Sequence, residues 1–375
     1  MRGFSRFQGH FITKPPQHCS LLRNSFIFSP QLKPKSRVMD MTRTAPEPAP
    51  LPRPARRWKD VLILGGLFAL MLVGLFGMAA ATGWEETRAQ LAKLSLSYIA
   101  VLFALSLVNY LLRGLRWHMF ARRLGLPTGL LQDMRHFLGG FAMSVTPGRV
   151  GELVRMRWLK RETGWAVERT APLVLMDRAS DLAAIAVILG VALSMSTRGI
   201  AGAVPVVVVS IIVAIIATRP ALLTRLVTYM YKATGRWPRL FGRVRMAARS
   251  LKQFSNAPVM LAALALGLAG WLAEGYSFYL LLGWLGADVG LWSAVGIFVF
   301  ATLAGGATGA PGGVGGAEAA MVALLHMEGV PLEVSLPATA IIRITTLWFA
   351  IGIGLLIFPF AERISIRTQH ALENR

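Results

Sequence analysis

Long apolar runs separated by short charged stretches dominate the chain from Val61 onward. A helix needs about 20 mostly apolar residues to cross a bilayer. By this measure the pattern predicts membrane-spanning helices over residues 61–82, 94–112, 171–196, 200–218, 258–282 and 336–360. We therefore expect an all-α polytopic membrane protein.

Two further apolar stretches do not fit simple spans. The uncharged run 137–148 is too short to cross and has charges on both sides, which predicts a re-entrant hairpin with its tip at Pro147. The segment 291–328 has a long arm before Pro311 and a shorter arm after it. It predicts either a second re-entrant hairpin or two true spans, so the chain would have six to eight transmembrane helices.

Each of these two stretches contains Pro-Gly, further glycine and then a carboxylate, in 146–152 and again in 310–318. Proline and glycine interrupt helices, and backbone groups freed at membrane depth must be satisfied by protein or water. A charge beside such a break favours a functional site, because charges at that depth are costly. The alternative interpretation is a pair of ordinary loops between helices.

The chain also carries the signs of an internal repeat. Pro311 lies 164 residues after Pro147. The same shift moves the start of span 94–112 onto that of 258–282, and span 171–196 onto 336–360. The two halves begin on opposite sides of the membrane, which predicts two inverted repeats (61–196 and 200–360) with re-entrant Pro-Gly hairpins. Inverted repeats with broken helices are common in secondary transporters.

Composition agrees with a membrane location. Hydrophobic residues make up 54% of the chain, and mean hydropathy is +0.54. The net charge of +22 comes from basic residues between the spans, where the positive-inside rule expects them, and we expect no nucleic-acid partner. Both termini are predicted to be cytoplasmic. Residues 1–60 are read as a disordered, basic, Pro-rich tail and 361–375 as a short tail, and Met39 or Met41 could equally be the true start.

Metal and nucleotide chemistry find no support in the sequence. Cys19 is the single cysteine, and the six histidines are scattered with no HExxH pattern. No Walker A sequence is present. We expect no metal, no cofactor and no ATP site, so any transport would use a gradient or no energy source.

Charged residues inside the predicted spans are the main candidates for a site. Asp177, Arg178 and Asp181 occupy the start of one span, Glu274 lies in the middle of another, and Arg343 lies roughly 10 Å into the last. Intramembrane charges favour function. The competing interpretation is structural ion pairing between helices, Arg343 with Glu318 and Arg178 with Glu152.

These residues fall in motifs that resemble the transmembrane region of lysylphosphatidylglycerol synthases and their stand-alone flippase-like relatives, over about residues 60–360. The motifs are Arg113-x-x-Arg116-Trp117, Pro147-Gly148-Arg149-x-Gly151-Glu152-x-x-Arg155, Asp177-Arg178-x-x-Asp181, Pro311-Gly312-Gly313-x-Gly315-x-x-Glu318 and Arg343. The resemblance implies a bacterial inner-membrane protein that moves a lipid between leaflets. The lipid would be a phospholipid, hopanoid or glycolipid, with lipid-synthesis enzymes as possible partners. The synthases' aminoacyl-transferase domain has no counterpart after the last predicted span, so lysyl transfer is not expected of this chain alone.

The predicted function is translocation of a polar-headed or anionic lipid along a hydrated groove between the two hairpin tips. Arg149, Arg155 and Arg178 would hold a phosphate. Glycines 148, 151, 312, 313 and 315 would let the backbone approach the headgroup. Glu152, Glu274 and Glu318 would neutralise the arginines or couple transport to protons. The alternatives are a transferase with a polyisoprenyl-phosphate donor, using Glu152 or Asp177 as base, and a non-catalytic scaffold of a lipid-synthesis complex.

Overall fold

The computed structural model describes residues 94–146, 151–196, 203–234, 251–254 and 256–374, with a few separate positions between 66 and 92. The predicted tail 1–60, the predicted span 61–82 and residues 147–150 of the first Pro-Gly segment lie outside the described residues. In the described ranges the ordered elements are all helical, without a strand. The all-α prediction is therefore confirmed.

The first part of the chain alternates long and short helices. Helix α1 begins after Ser95, whose hydroxyl accepts a hydrogen bond from the Tyr98 N–H and so satisfies one free amide of the first turn. A short 3₁₀ helix, Gly140–Val145, follows α2. The helices are α1 (Leu96–Arg123), α2 (Leu130–Gly139), α3 (Gly151–Thr163), α4 (Val167–Met195), α5 (Ala203–Thr218) and α6 (Pro220–Thr234).

The second part has a similar order. A single 3₁₀ turn, Leu251–Phe254, precedes it. A second 3₁₀ turn, Pro311–Gly313, separates α8 from α9, and a π-helical segment, Ile344–Trp348, separates α10 from α11. The helices are α7 (Ala257–Trp284), α8 (Leu291–Ala307), α9 (Gly316–Met327), α10 (Leu332–Arg343) and α11 (Phe349–Glu373).

Four helical stretches among the described residues are long and apolar enough to cross a membrane: α1, α4, α7 and the continuous stretch Leu332–Glu373. They correspond to the predicted spans 94–112, 171–196, 258–282 and 336–360. Helix α5 falls on the predicted span 200–218, and Val204–Ile216 is bent by 96° from Ala221–Lys232. The last helix runs to Glu373, through most of the segment that the sequence analysis read as a tail.

Both Pro-Gly segments join pairs of short helices. Helices α2 and α3 have 10 and 13 residues, and α8 and α9 have 17 and 12. At 1.5 Å per residue, the longest of them reaches only about 25 Å, short of the roughly 30 Å hydrocarbon thickness. For residues 291–328 the lengths therefore favour a re-entrant hairpin over two spans.

Helix α1 differs from its prediction in an informative way. The predicted span ended at residue 112, because Arg113 and Arg116 were counted with the charged segment that follows. The helix instead continues to Arg123, and Arg116 is fully buried in it. The arginines are tolerated there because carboxylates of α4 pair with them, as described below.

Close packing of small residues brings the helices together around these charges. A methyl group at Gly270 of α7 would lie 2.8 Å from the Asn109 Oδ1 of α1, so the two helices touch at this glycine. A methyl group at Gly305 of α8 would lie 2.6 Å from the Cβ of Ala317 in α9. Such contacts leave no room for larger side chains at these two glycines.

The predicted span 336–360 is interrupted by the π-helical segment directly after Arg343. The buried Tyr110 hydroxyl of α1 donates a hydrogen bond to the Thr346 carbonyl in this segment. The Thr345 and Thr346 hydroxyls donate to carbonyls one turn earlier. Single-turn π segments inside α-helices are often found at functional sites.

Candidate functional site

A cavity of about 520 Å³ lies where the two hairpins and the long helices converge. The first hairpin contributes Ser144 and Glu152 to its wall, and the second contributes Thr302 and Gly312. The first hairpin also contributes Arg155, and the long helical stretches supply the other charged groups and several large apolar side chains. The cavity is therefore shared between the two Pro-Gly segments.

Two buried aspartates of α4 anchor the charged wall. Asp177 Oδ1 and Asp181 Oδ1 each lie 2.6 Å from Arg116 Nη2, and Asp181 Oδ2 lies 2.8 Å from Arg113 Nη2. Their spacing of four residues puts both carboxylates on one face of the helix. The arginines of α1 are thus compensated in a place where an isolated charge would be very costly.

Arg178 joins this network to the first hairpin. Its Nη2 lies 2.6 Å from Asp177 Oδ2 and 3.4 Å from Asp181 Oδ2, while its Nε lies 3.1 Å from Glu152 Oε1. The Arg178 and Glu152 side chains are about one quarter exposed. The Arg178–Glu152 pair predicted under the structural interpretation is present, and it lies in the cavity wall.

The second hairpin is held by Arg343. Its Nε donates to Glu318 Oε1 at 2.5 Å, and its Nη2 donates to the Gly312 carbonyl at 2.8 Å. The other Glu318 oxygen accepts from the Gly315 N–H at 2.7 Å, which caps the start of α9. The predicted Arg343–Glu318 pair is therefore present, and it also fixes the shape of the Pro-Gly turn.

The glycines of this turn are needed for its backbone conformation. Gly312, Gly313 and Gly315 have φ angles of 60°, 69° and 86°. Residues with a side chain rarely adopt these values. A methyl group at Gly313 would also come within 2.9 Å of the Gly305 carbonyl carbon. The observed role of these glycines is to close the turn.

Arg155 of α3 differs from the other arginines of the cavity. It is 4% exposed, and its guanidinium carbon lies 4.3 Å from the centre of the Phe137 ring and within 6 Å of the Trp117 and Phe141 rings. Among the residues that the structure describes, no carboxylate lies within ion-pair distance, and its Nε and Nη1 have no hydrogen-bond partner. Among the described residues, the close contacts of the Arg155 guanidinium are therefore aromatic rings, and no carboxylate is paired with it.

Glu274 of α7 is the corresponding exception among the acids. It is 5% exposed and lines the cavity. In the described part of the chain it has no ion-pair partner, whereas Glu152 and Asp181 do. In the sequence it stands out as the one acid in the middle of its predicted span.

The structure brings most of the predicted site residues together. Those that line the cavity are Arg113, Gly151, Glu152, Arg155, Arg178, Asp181, Glu274, Gly312 and Arg343. Arg116, Asp177 and Glu318 lie one contact further away, bonded to lining residues, and Pro311, Gly313 and Gly315 form the second turn. Pro147, Gly148 and Arg149 lie outside the described residues.

Sequence reasoning missed two aromatic residues of the wall. Tyr110 binds the π-helical segment, and Trp271 Nε1 donates to Asp181 Oδ1 at 3.3 Å while its ring lies 5.4 Å from the Arg113 guanidinium carbon. In sequence both look like ordinary apolar positions of long spans. Tyr110 lies three residues before Arg113 and Trp271 three before Glu274, so a search one helical turn from each charge would have found them.

A second group of charges, outside the cavity lining, lies on α2 and α3. Glu162 Oε2 accepts from Arg135 at 2.7 Å, and its Oε1 lies 3.1 Å from His136 Nε2. Although burial raises the pKa of Glu162, the nearby His136 and Arg135 outweigh it and hold this pKa below its ordinary value. Burial raises the pKa of Asp133, against hydrogen bonds from His118 and Thr128. These contacts fasten α2 to its neighbours.

The fold and site define a polytopic helical membrane protein with a charged internal cavity. The lysylphosphatidylglycerol synthase TM region matches residues 62–354, which is most of the chain. The protein belongs to this family. Among curated proteins, no relative matches the chain.

Proposed function

We propose that this protein moves a polar-headed or anionic lipid between membrane leaflets, through the cavity between the two hairpins. The observation that carries the proposal is the cavity itself: a space of about 520 Å³, lined by four arginines and three acids, among helices long enough to span a membrane. Charged groups are costly in such a place, and they are retained where they line a path for a polar group.

The hairpins support the same interpretation. Helices that do not cross the membrane leave polar backbone groups at depth, and these are tolerated where they border a water-filled cavity. Gly140 and Gly151 of the first hairpin and Gly306 and Gly312 of the second line the cavity. A headgroup could cross here while the acyl chains stay in the bilayer.

We also infer that the chain consists of two inverted repeats. Helix α7 begins 161 residues after α1, and α10 begins 165 residues after α4, with a pair of short helices between them each time. In each half the carboxylate near the start of the helix after the Pro-Gly segment pairs with an arginine in the next helix.

We propose a bacterial inner membrane as the location, with both termini cytoplasmic.

No observation favours the transferase alternative. Its two candidate bases, Glu152 and Asp177, have arginine partners at 3.1 and 2.6 Å. A scaffold without transport activity predicts that charge-to-alanine variants keep their function as long as the protein still assembles.

The test is lipid movement in vesicles reconstituted with the purified protein. A fluorescent phospholipid in the inner leaflet is protected from a quencher added outside, so its loss of fluorescence measures transfer. We expect Arg149→Ala and Glu318→Ala to abolish transfer, and Arg157→Ala, which removes a half-exposed arginine that pairs with Glu362, to preserve it. Wild-type transfer by both site variants, with folded protein in all samples, would refute the proposal.

A further inference from the structure

We infer that Arg155 is the residue that binds an anion in this cavity, and that the anion is a singly charged phosphodiester. The inference rests on the proposed function and names the chemistry of its ligand. A ligand-binding cation must have donors that the protein itself does not use. Arg155 meets this condition in the described part of the chain.

The other arginines that line the cavity are already compensated. Arg113 pairs with Asp181, Arg178 pairs with Glu152 and Asp177, and Arg343 pairs with Glu318. An arriving anion would have to displace a carboxylate from each of them. The sequence predicts three arginines as phosphate ligands. The structure argues against one of them, because Arg178 is already paired with carboxylates.

The surroundings of Arg155 hold its guanidinium without using its N–H groups. The rings of Phe137, Trp117 and Phe141 lie within 6 Å of its guanidinium carbon. Aromatic faces attract a cation through their quadrupole and accept no strong hydrogen bond. Residues 147–150, which precede α3 and lie outside the described residues, contain no acid. The rings therefore orient the guanidinium, and within the described ranges its Nε and Nη1 hydrogens have no acceptor.

Gly140 makes room for this side chain. A methyl group there would overlap the Arg155 Nε and come within 3.0 Å of its Cγ. Gly140 itself lines the cavity beside Arg155. Replacing Gly140 by alanine would therefore move the guanidinium without changing any charge, which separates position from charge in a test.

The charge balance of the cavity favours a diester over a monoester. A guanidinium donates two parallel hydrogen bonds to two oxygens of one phosphate group. One free guanidinium balances one negative charge, and Glu274 lines the same cavity without an ion-pair partner in the described ranges. Among the described residues that line the cavity, no further unpaired cation is present to compensate a second negative charge on the ligand.

The test is calorimetric titration of the purified protein in nonionic detergent with dihexanoyl phosphatidylmethanol, a lipid whose headgroup is little more than a phosphodiester. Dihexanoyl phosphatidic acid supplies the monoester, and dihexanoylglycerol supplies the same chains without phosphate. Dimethyl phosphate supplies the diester without chains. We expect the diester lipid to bind more tightly than the other three.

We expect Arg155→Gln to weaken binding of the diester lipid by about tenfold or more, because a hydrogen-bonded charge is lost. Arg157→Gln, which removes an arginine from the same helix outside the cavity, should leave it unchanged. Arg155→Lys should weaken it less than Arg155→Gln. Gly140→Ala should weaken it with all charges kept, so this variant and Arg155→Lys carry the test if Arg155→Gln does not fold.

The outcomes separate this inference from the proposed function. Equal effects of Arg155→Gln and Arg157→Gln, or equal binding of dihexanoylglycerol, would overturn the inference, and lipid transfer in vesicles could still stand. A third outcome is that dimethyl phosphate binds tightly, that this binding depends on Arg155, and that no lipid is transferred in vesicles. This outcome would support the anion site and refute lipid translocation. Preference for the monoester lipid would overturn the assignment of a diester.

Discussion

Glu152 and Arg178 form an ion pair with 3.1 Å between Oε1 and Nε, and it ties the helix that follows the first Pro-Gly segment to the next long helix. Glu318 and Arg343 make the equivalent connection in the second part of the chain, at 2.5 Å. Glu152, Arg178 and Arg343 line the same cavity. The charges at these helix breaks therefore hold the hairpins in place as well as forming the wall of the site.

The geometry at Arg343 makes a prediction about the second hairpin. Its guanidinium contacts Glu318 through Nε and the Gly312 carbonyl through Nη2, and a lysine ammonium cannot reproduce this fork. We expect Arg343→Lys to lower the midpoint of thermal unfolding and Arg343→Met to lower it further. Unchanged midpoints in both variants would mean that the contacts of Arg343 with Glu318 and Gly312 do not stabilise the turn.

The ion pairs of Arg116 with two aspartates predict that replacing this arginine strongly destabilises the protein. This side chain is fully buried and shares its Nη2 between Asp177 and Asp181. Removing one partner of a buried ion pair typically costs about 3–5 kcal/mol, because the remaining charge is left uncompensated.

We therefore expect Arg116→Met to reduce the free energy of unfolding by about that amount, measured with denaturant in detergent micelles. Arg157→Met should change it by no more than about 1 kcal/mol, since that arginine is 44% exposed. Similar values for the two variants would contradict the assignment of Arg116 as a structural centre of the site.

The close contact between α8 and α9 predicts that a larger side chain at Gly305 destabilises the protein. A methyl group at Gly305 would lie 2.6 Å from the Ala317 Cβ and 2.8 Å from the Gly313 carbonyl oxygen. Overpacking of this kind costs about 1–3 kcal/mol. We expect Gly305→Ala to destabilise the protein, whereas Gly352→Ala in α11, where a methyl group meets nothing within 4 Å, should not. The opposite order in a thermal unfolding series would disprove the close packing.

Glu162 predicts a pH dependence of stability. Its folded-state pKa lies below the ordinary value of 4.5, because His136 and Arg135 outweigh the effect of burial. A lowered acid pKa stabilises the fold fully above the unfolded-state value, and this contribution is lost as the pH falls through the folded-state value. The stability difference between the wild type and Glu162→Gln should therefore shrink as the pH falls below about 4.5. If the stability difference between the two proteins grew on acidification, the pKa of Glu162 could not be lowered in the folded state.

The hydrophobic pattern was sufficient to predict the long helices and the interruption at Pro311, because run length and helix breakers are local properties of the sequence. It failed at Arg113 and Arg116, since a run ends at an arginine unless its partner is known, and Asp177 and Asp181 are more than 60 residues away. The π-helical segment after Arg343 was not predictable either, because it depends on a contact from Tyr110.

The candidate residues themselves followed from charge inside apolar surroundings, but their roles did not. Sequence reasoning treated Arg155 and Arg178 alike as phosphate ligands. Only the three-dimensional arrangement distinguishes an arginine with three carboxylates from one that faces aromatic rings. The first Pro-Gly tip, with Arg149, stays a prediction because it lies outside the described residues.

The central claim is that one cavity between the hairpins is reached from both sides of the membrane, and cysteine accessibility tests it most directly. Ser144 and Thr302 line the cavity from the first and second hairpin and can be replaced singly by cysteine in a Cys19→Ser background. In sealed vesicles of either orientation, we expect a membrane-impermeant thiol reagent to label both cysteines from each side. Labelling of either cysteine from one side only, or of neither, would contradict a translocation path through this cavity.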